Sequence, residues 1–303
     1  MVVVFGEVLW DVFGDERKIG GAPFNFAAHL AQLGQETAFV SAVGDDELGQ
    51  AARQAAAAYG MQTTYLNTAA QPTGVCQVTL RPDGTPQYAL AEDVAYDHIA
   101  LTAAQTAALQ ERPLPLLYFG TLAQRGGESR KTLRQLAETG SFAEVFCDIN
   151  IRPPFFSAEV LRDSLRLSTI LKISREEYAV LEQLGLVAVA GGEEPYAHRL
   201  CRALAEQYPR LRQILVTLDK DGALLYDKAA DTVLYSERPR SKLVSAVGAG
   251  DSFSAAFVYN RLRGASPADC LNRATILSDY VVTQLGAVPS YPPALRAQVR
   301  GES

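Results

Sequence analysis

Short apolar runs alternate with longer stretches of helical apolar spacing along most of the chain. Residues 2–5 are an unbroken apolar run ending at Gly6, which predicts a buried first strand. Residues 22–33 repeat apolar side chains at helical spacing and stop at Gly34, a candidate C-cap. A strand over 38–43 and an Ala-rich helix over 48–59, closed by Gly60, follow. The pattern then changes. Residues 73–81 alternate, Pro82-Asp83-Gly84-Thr85 has turn chemistry, and an extended pattern resumes over 87–90, which predicts a β-hairpin. From Leu114 the earlier alternation returns, with strands predicted at 116–119, 144–148, 170–173, 213–218 and 223–226. Helices are predicted at 129–138, 176–184, 195–207, 250–263 and 267–284. Strands alternating with helices predict a parallel sheet covered on both faces. The hairpin is too short for a domain of its own. The expected organisation is therefore one α/β domain over 1–303, with a small β lid whose strands come from about residues 11–21 and 73–97.

Composition narrows the partners. The 303 residues carry 28 Lys+Arg against 34 Asp+Glu, a net charge of −6, which argues against nucleic acid or an anionic membrane surface as partner. With 48% hydrophobic and 20% charged residues the chain reads as globular. At this length roughly three quarters of the unfolded surface can be buried, so the core needs no staples. Cys76, Cys147, Cys201 and Cys270 are far apart with no metal-ligand spacing, and the opening MVVVFGEVLWD lacks a basic signal-peptide segment. No apolar run reaches the ~20 residues of a membrane span. Free cysteines in a cytoplasmic protein are expected. His29, His98 and His198 are scattered, and each is expected to be satisfied internally or solvated.

The segment richest in chemistry is Ser245-Ala246-Val247-Gly248-Ala249-Gly250-Asp251. Small residues before an apolar helix let successive backbone N–H groups converge at a helix N-terminus, which makes an anion cradle. No Lys or Arg lies between Lys242 and Arg261, so the expected holders of that anion are backbone amides. Asp251 falls in the first turn, where the dipole should keep it ionised and placed to take a proton from an attacking hydroxyl. An acid that merely satisfies helix amides fits the same segment equally well. A Walker A loop would need a Lys followed by Ser or Thr, and a dinucleotide fingerprint would need a small residue at Phe253. Near the N-terminus, Asp11 and Gly20-Gly21-Ala22-Pro23-Phe24-Asn25 place an acid and an amide on loops beside glycines. Such groups suit a polyhydroxylated ligand, although a glycine turn with an ordinary helix cap is the simpler reading of this stretch alone.

Together these stretches carry a resemblance. Gly20 through Asn25, with Ala27, Gly34 and Gly44, resembles at every spacing the first signature of the ribokinase-like (PfkB) carbohydrate kinases, and Val247–Asp251 resembles the second. The resemblance spans essentially the whole chain. It implies a three-layer αβα sandwich with a mostly parallel central sheet and a small β-sheet lid. Asp148-Ile149-Asn150-Ile151-Arg152 and the Gly6-Glu7…Asp11 opening look most like fructokinases. By the resemblance, Asp251 is the catalytic base and Gly248, Ala249 and Gly250 are the anion hole. Arg152 lies near the transferred phosphate or the sugar. Asp11, Gly20, Gly21 and Asn25 hold sugar hydroxyls, and Thr217, Asp219 and Gly222 lie in the nucleotide segment. Ser174 and Glu177 stand at the Asn-x-x-Glu motif associated with Mg²⁺, with Glu177 reaching the ion through water. Gly286 and Ala287 flank the adenine, and Ser290 belongs to a monovalent-cation site.

The departures are Ser245 for a carboxylate, which takes one ligand from a K⁺ site and leaves Ser290 and nearby carbonyls to contribute oxygens; Asp219 for a glycine; and Ser174 for an asparagine. The implied activity is transfer from MgATP to a primary hydroxyl, with D-fructose as acceptor. 2-Keto-3-deoxygluconate, ribose or a nucleoside as acceptor, or a non-catalytic sugar-binding protein, are the alternatives. A homodimer through the lid is expected by analogy.

Overall fold

The computed structural model describes residues 1–80, 86–237 and 241–302. The turn expected at Pro82–Thr85 lies outside the described residues. Thirteen strands are described: β1 (Val2–Phe5), β2 (Leu9–Phe13), β3 (Glu16–Gly20), β4 (Thr37–Gly44), β5 (Leu66–Ala69), β6 (Gly74–Leu80), β7 (Pro86–Leu90), β8 (Leu114–Phe119), β9 (Phe142–Asp148), β10 (Ile170–Ser174), β11 (Gln213–Thr217), β12 (Ala223–Asp227) and β13 (Thr232–Ser236). Ten α-helices accompany them: α1 (Ala22–Gln32), α2 (Glu47–Ala58), α3 (Ala103–Gln110), α4 (Gly127–Thr139), α5 (Ala158–Leu167), α6 (Tyr178–Gln183), α7 (Tyr196–Gln207), α8 (Ala249–Arg261), α9 (Pro267–Val282) and α10 (Pro293–Arg300).

Nine strands form one sheet in the order β13-β12-β11-β10-β9-β8-β1-β4-β5. Only the β11–β12 and β12–β13 pairs are antiparallel. Successive residues of the central strands enter two different apolar clusters. Val3 and Phe5 join Leu133, Leu161 and Leu204 of α4, α5 and α7, whereas Val2 and Val4 join Phe26, Phe257 and Leu271 of α1, α8 and α9. Burial on both faces is why these strands read as continuous apolar runs. The fold is the expected three-layer α/β arrangement. No described helix is long and apolar enough to cross a membrane.

The second sheet has the order β3-β2-β6-β7. The expected hairpin is real, since β6 and β7 pair antiparallel, but β6 also pairs parallel with β2, which hairpins with β3.

Five elements were not read from the sequence: β5, β13, α3, α5 and α10. On α3 and α10 only Leu109 and Val299 are buried, so neither shows a sustained apolar stripe. β5 has four residues and β13 is a half-exposed edge. On α5 the stripe is present as Val160, Leu161, Ser164 and Leu165, behind the N-cap Ser157. The helix expected over 176–184 is a 3₁₀ turn at Arg175–Glu177 followed by the short α6.

Strand order reverses at β1, whose neighbours β4 and β8 lie in opposite chain directions. In open α/β sheets ligands gather beyond the carboxyl ends of the strands at such a reversal. The segments that follow β1, β9, β10 and β11 all carry expected site residues.

The helix α1 that faces this reversal is anchored by Phe26, which stacks on Tyr118 with ring centroids 3.7 Å apart and an 8° interplanar angle. Phe26→Ala is expected to lower unfolding stability by about 3–5 kcal/mol, read from the urea midpoint. Leu285→Ala, at a position 81% exposed, should stay within about 0.5 kcal/mol of wild type.

Candidate active site

The N-terminus of α8 is built by Gly248, which caps it in the left-handed conformation at φ 81°. A Cβ there would fall 2.1 Å from the carbonyl oxygen of Ala287, so both backbone angle and space require glycine. Three residues on, Asp251 is 9% exposed, and its Oδ2 accepts a 2.8 Å hydrogen bond from Nδ2 of Asn25 in the first turn of α1. Two helix N-termini that pack side by side thus share one carboxylate. The helix dipole alone would keep Asp251 fully ionised. Burial outweighs it and pushes the pKa up to about 6, with Asp148 adding to the rise and Asn25, Lys172 and Arg152 opposing it.

Lys172 corrects the expectation that amides alone line this cradle. It stands in mid-strand on β10, is 7% exposed, and brings Nζ to 3.0 Å from where a Cβ of Gly250 would lie. The ammonium pairs with Asp148 Oδ1 at 3.0 Å, while Asp148 Oδ2 accepts from Ser254 Oγ at 3.2 Å and Tyr118 Oη at 3.4 Å. Burial would favour a neutral amine, but Asp148, Glu177 and Asp251 prevail and hold the lysine pKa above its ordinary value. The available signal was a lysine inside the apolar run Ile170-Leu171-Lys172-Ile173, because a strand buried on both faces carries a charge only beside a partner.

On the α1 side the structure brings Asp11, Gly20, Gly21 and Asn25 together. Asp11, on β2, lies against Gly20, where a Cβ would meet its Oδ2 at 2.9 Å. Burial raises the Asp11 pKa, opposed by a hydrogen bond from the Cys76 thiol and by the charge of Arg152. Gly21, at φ 106°, packs on the Glu7 carbonyl, 2.6 Å from the place of its absent Cβ. The Asn25 Oδ1 atom is buried with no partner among the described residues.

Glu7, part of the Gly6-Glu7…Asp11 opening, is a further acid at the site. It is 3% exposed, and its Oε2 is buried without a partner among the described residues. Its pKa is pushed up to about 7, chiefly by burial, with Arg152 lowering it and Asp251 raising it. Arg152 is exposed, and its charge reaches Glu7, Asp11 and Asp251.

Across the α8 N-terminus lies a cavity of about 260 Å³ lined by Thr217, Asp219, Gly222, Ala249, Gly250 and Phe253, among others. The expected nucleotide-segment residues and the glycine nest therefore share one space. Asp219 sits at φ 56°, a left-handed position that explains why glycine suits it and that aspartate tolerates better than most residues. Ser174 and Glu177 lie at the end of β10. Both Glu177 oxygens accept backbone N–H groups at 2.7 Å, from Ile151 and Ser174, which ties the Arg152 segment to β10. No described cluster of three His, Cys, Asp or Glu could hold a metal ion unaided. Gly286, Ala287 and Ser290 lie on the loop after α9 that walls Gly248.

Known proteins resemble the chain over nearly its whole length. Fructokinase-2 of Solanum lycopersicum is 26% identical, over 98% of this chain and 94% of that protein. Aminoimidazole riboside kinase of Salmonella typhimurium is 25% identical, over 90% and 84%. The crystal structure of a fructokinase from Xylella fastidiosa with bound ATP superposes with a TM-score of 0.82, covering 98% of this chain and 97% of that one at 20% identity. A family description, pfkB family carbohydrate kinase, matches residues 2–294. A glycine nest with its buried acid, a polar pocket on α1 and a family match over nearly every residue lead to one conclusion: the chain belongs to the pfkB family of carbohydrate kinases.

Proposed function

We propose that the protein is an ATP-dependent sugar kinase that phosphorylates a primary hydroxyl, with the 6-hydroxyl of D-fructose as the acceptor. The observation that carries this reading is the placement of Asp251, between the Asp11–Asn25 pocket and the cavity of Thr217 and Gly222. The acceptor would lie against Asp11, Gly20, Gly21 and Asn25, where the partnerless Asn25 Oδ1 accepts from a sugar hydroxyl. Asp251 takes the hydroxyl proton as that oxygen attacks the γ-phosphorus, and the bond to the β,γ-bridging oxygen breaks to release ADP. The N–H groups around Gly248–Gly250 and the Lys172 ammonium face the charge that develops. Arg152, whose charge reaches Asp251, adds a second cation. Mg²⁺ arriving with the nucleotide supplies charge neutralisation on the phosphates. Glu177 suits it only through water, since both its oxygens are held by amides. The small sheet, which carries Asp11, acts as the lid that excludes water.

Charge favours fructose over an acidic sugar. Glu7, Asp11 and Asp251 surround the acceptor pocket, and Lys172, the cation nearest Asp251 besides Arg152, is already paired with Asp148, which suits a neutral polyol better than 2-keto-3-deoxygluconate. An ATP-dependent phosphorylation screen over D-fructose, 2-keto-3-deoxygluconate, ribose and nucleosides decides the acceptor. Sugar binding with no turnover on any of them would favour the non-catalytic alternative.

Asp251→Asn should lower kcat by about 10²–10⁴-fold while sugar binding stays measurable; near-normal ADP release by the variant would refute the base assignment. The base works ionised, so kcat/KM for the sugar should fall as pH drops below the Asp251 pKa of about 6, about tenfold per unit. A rate that is flat down to pH ~4.5 would refute that dependence.

The same shift has a stability consequence. The Asp251 pKa rises on folding from 3.8 to about 6, so its contribution is fully present below 3.8 and lost as pH rises through 6. Asp251→Asn should therefore melt higher than wild type near pH ~8, and the gap should close toward pH ~4.

A further inference from the structure

The loop after α9 is held in an unusual way. Each carbonyl from Ala287 to Ser290 accepts a hydrogen bond from a side chain. His29 Nε2 lies 2.9 Å from Ala287 O, Tyr59 Oη donates to Val288 O at 3.4 Å, Gln32 Nε2 to Pro289 O at 3.3 Å, and Tyr280 Oη to Ser290 O at 3.0 Å. His29 and Gln32 stand on α1 with Asn25, four and seven residues along, which makes a polar stripe on a helix otherwise buried among apolar groups.

His29 is fully buried, and burial drives its pKa down to about 3, so the ring is neutral. With Nε2 bound to a carbonyl, that nitrogen must carry the proton. Nδ1 then accepts from the Tyr291 hydroxyl, against which the ring is stacked. Neither partner is free to turn. The segment held here is also the wall of the anion nest, because Gly248 packs directly on the backbone of Ala287. A shift of Ala287 would move the N-terminus of α8.

These donors do not suit a cation at the expected place. The positive ends of four N–H and O–H groups already point at the four loop carbonyls. Where the family resemblance calls for a carboxylate, Ser245 has a neutral hydroxyl that accepts from Val247 N at 3.3 Å. A monovalent cation would lack the carboxylate that Ser245 replaces, and each loop carbonyl already gives one of its two lone pairs to a protein donor.

Resting on the kinase reading above, we propose that His29, with Gln32, Tyr59, Tyr280 and Tyr291, clamps the 287–290 loop in place of a monovalent cation, so that the nest is set without K⁺. His29 is a positioning residue in this arrangement. It acts on the phosphate site through Ala287 and Gly248.

The first test is thermal unfolding of the wild-type protein with MgATP in potassium, sodium or tetramethylammonium chloride at matched ionic strength. Equal midpoints are expected, because a cation bound specifically to the folded state would raise its midpoint. A rise specific to potassium would overturn the proposal. The kinetic test is His29→Leu beside the milder Tyr280→Phe, with kcat and both KM values measured in each salt. His29→Leu should raise KM for MgATP or lower kcat roughly tenfold with KM for the sugar unchanged, and Tyr280→Phe should change the same parameters less. Equal changes in both KM values, or wild-type turnover that requires potassium, would refute the clamp. No phosphorylation in any salt would refute the kinase reading instead, and the unfolding midpoints would still decide the cation question.

Discussion

The site depends on a carboxylate that is held out of water at the meeting point of two helix N-termini. Asp251 gains from the dipole of α8 and from the Asn25 amide, and it loses hydration. Its pKa of about 6 shows that the loss is the larger effect. The balance is useful to a base. A group with an ordinary aspartate pKa would be a weak proton acceptor near neutrality, and one raised much further would stand protonated. Reaching the intermediate value requires α1 and α8 to be fixed relative to each other, and the Phe26–Tyr118 stack and the shared apolar cluster provide that rigidity.

A second charge arrangement sits one layer deeper. Lys172 and Asp148 form an ion pair inside the sheet, at 7% and 1% exposure. Such a pair is weak evidence for stability, since desolvation offsets much of the attraction. Its placement is more telling than its energy. Asp148 is also held by Ser254 of α8 and Tyr118 of β8, so the lysine's position is tied to the helix whose N-terminus it underlies. Removing Asp148 would leave a buried ammonium beside Gly250. An acidic protein with a net charge of −6 can thus present a local positive pocket, because charge counts for a ligand only over short distances.

How much of this was legible in the sequence depends on how local each feature is. The Gly248–Asp251 nest and the Gly20–Asn25 turn are contiguous, and their glycines mark positions where backbone must approach backbone. Both could be read directly. The central strands could be read because burial on both faces leaves an unbroken apolar run. Lys172 could not be assigned to the nest, since 78 positions separate it from Gly250 and only the packing of α8 over the β10 face that carries Ile170 brings the two together. Glu7 was hidden for a similar reason. An acid after an apolar strand looks exposed until the Gly20–Gly21 turn is seen folded over it. For Asp251 the helix dipole favours the ionised form, and burial, which sequence alone does not measure, reverses that direction and raises the pKa.

The polar stripe on α1 shows the same limit from the other side. A lone histidine in an apolar helix is ordinarily a satisfied core residue, and His29 is satisfied. What satisfies it is the wall of the nest, reached through Ala287 and stabilised by the Tyr291 hydroxyl. Asn25 and His29, one turn apart, therefore touch two parts of one geometry: the buried carboxylate of Asp251, and the loop on which Gly248 packs. A single rigid helix registers both.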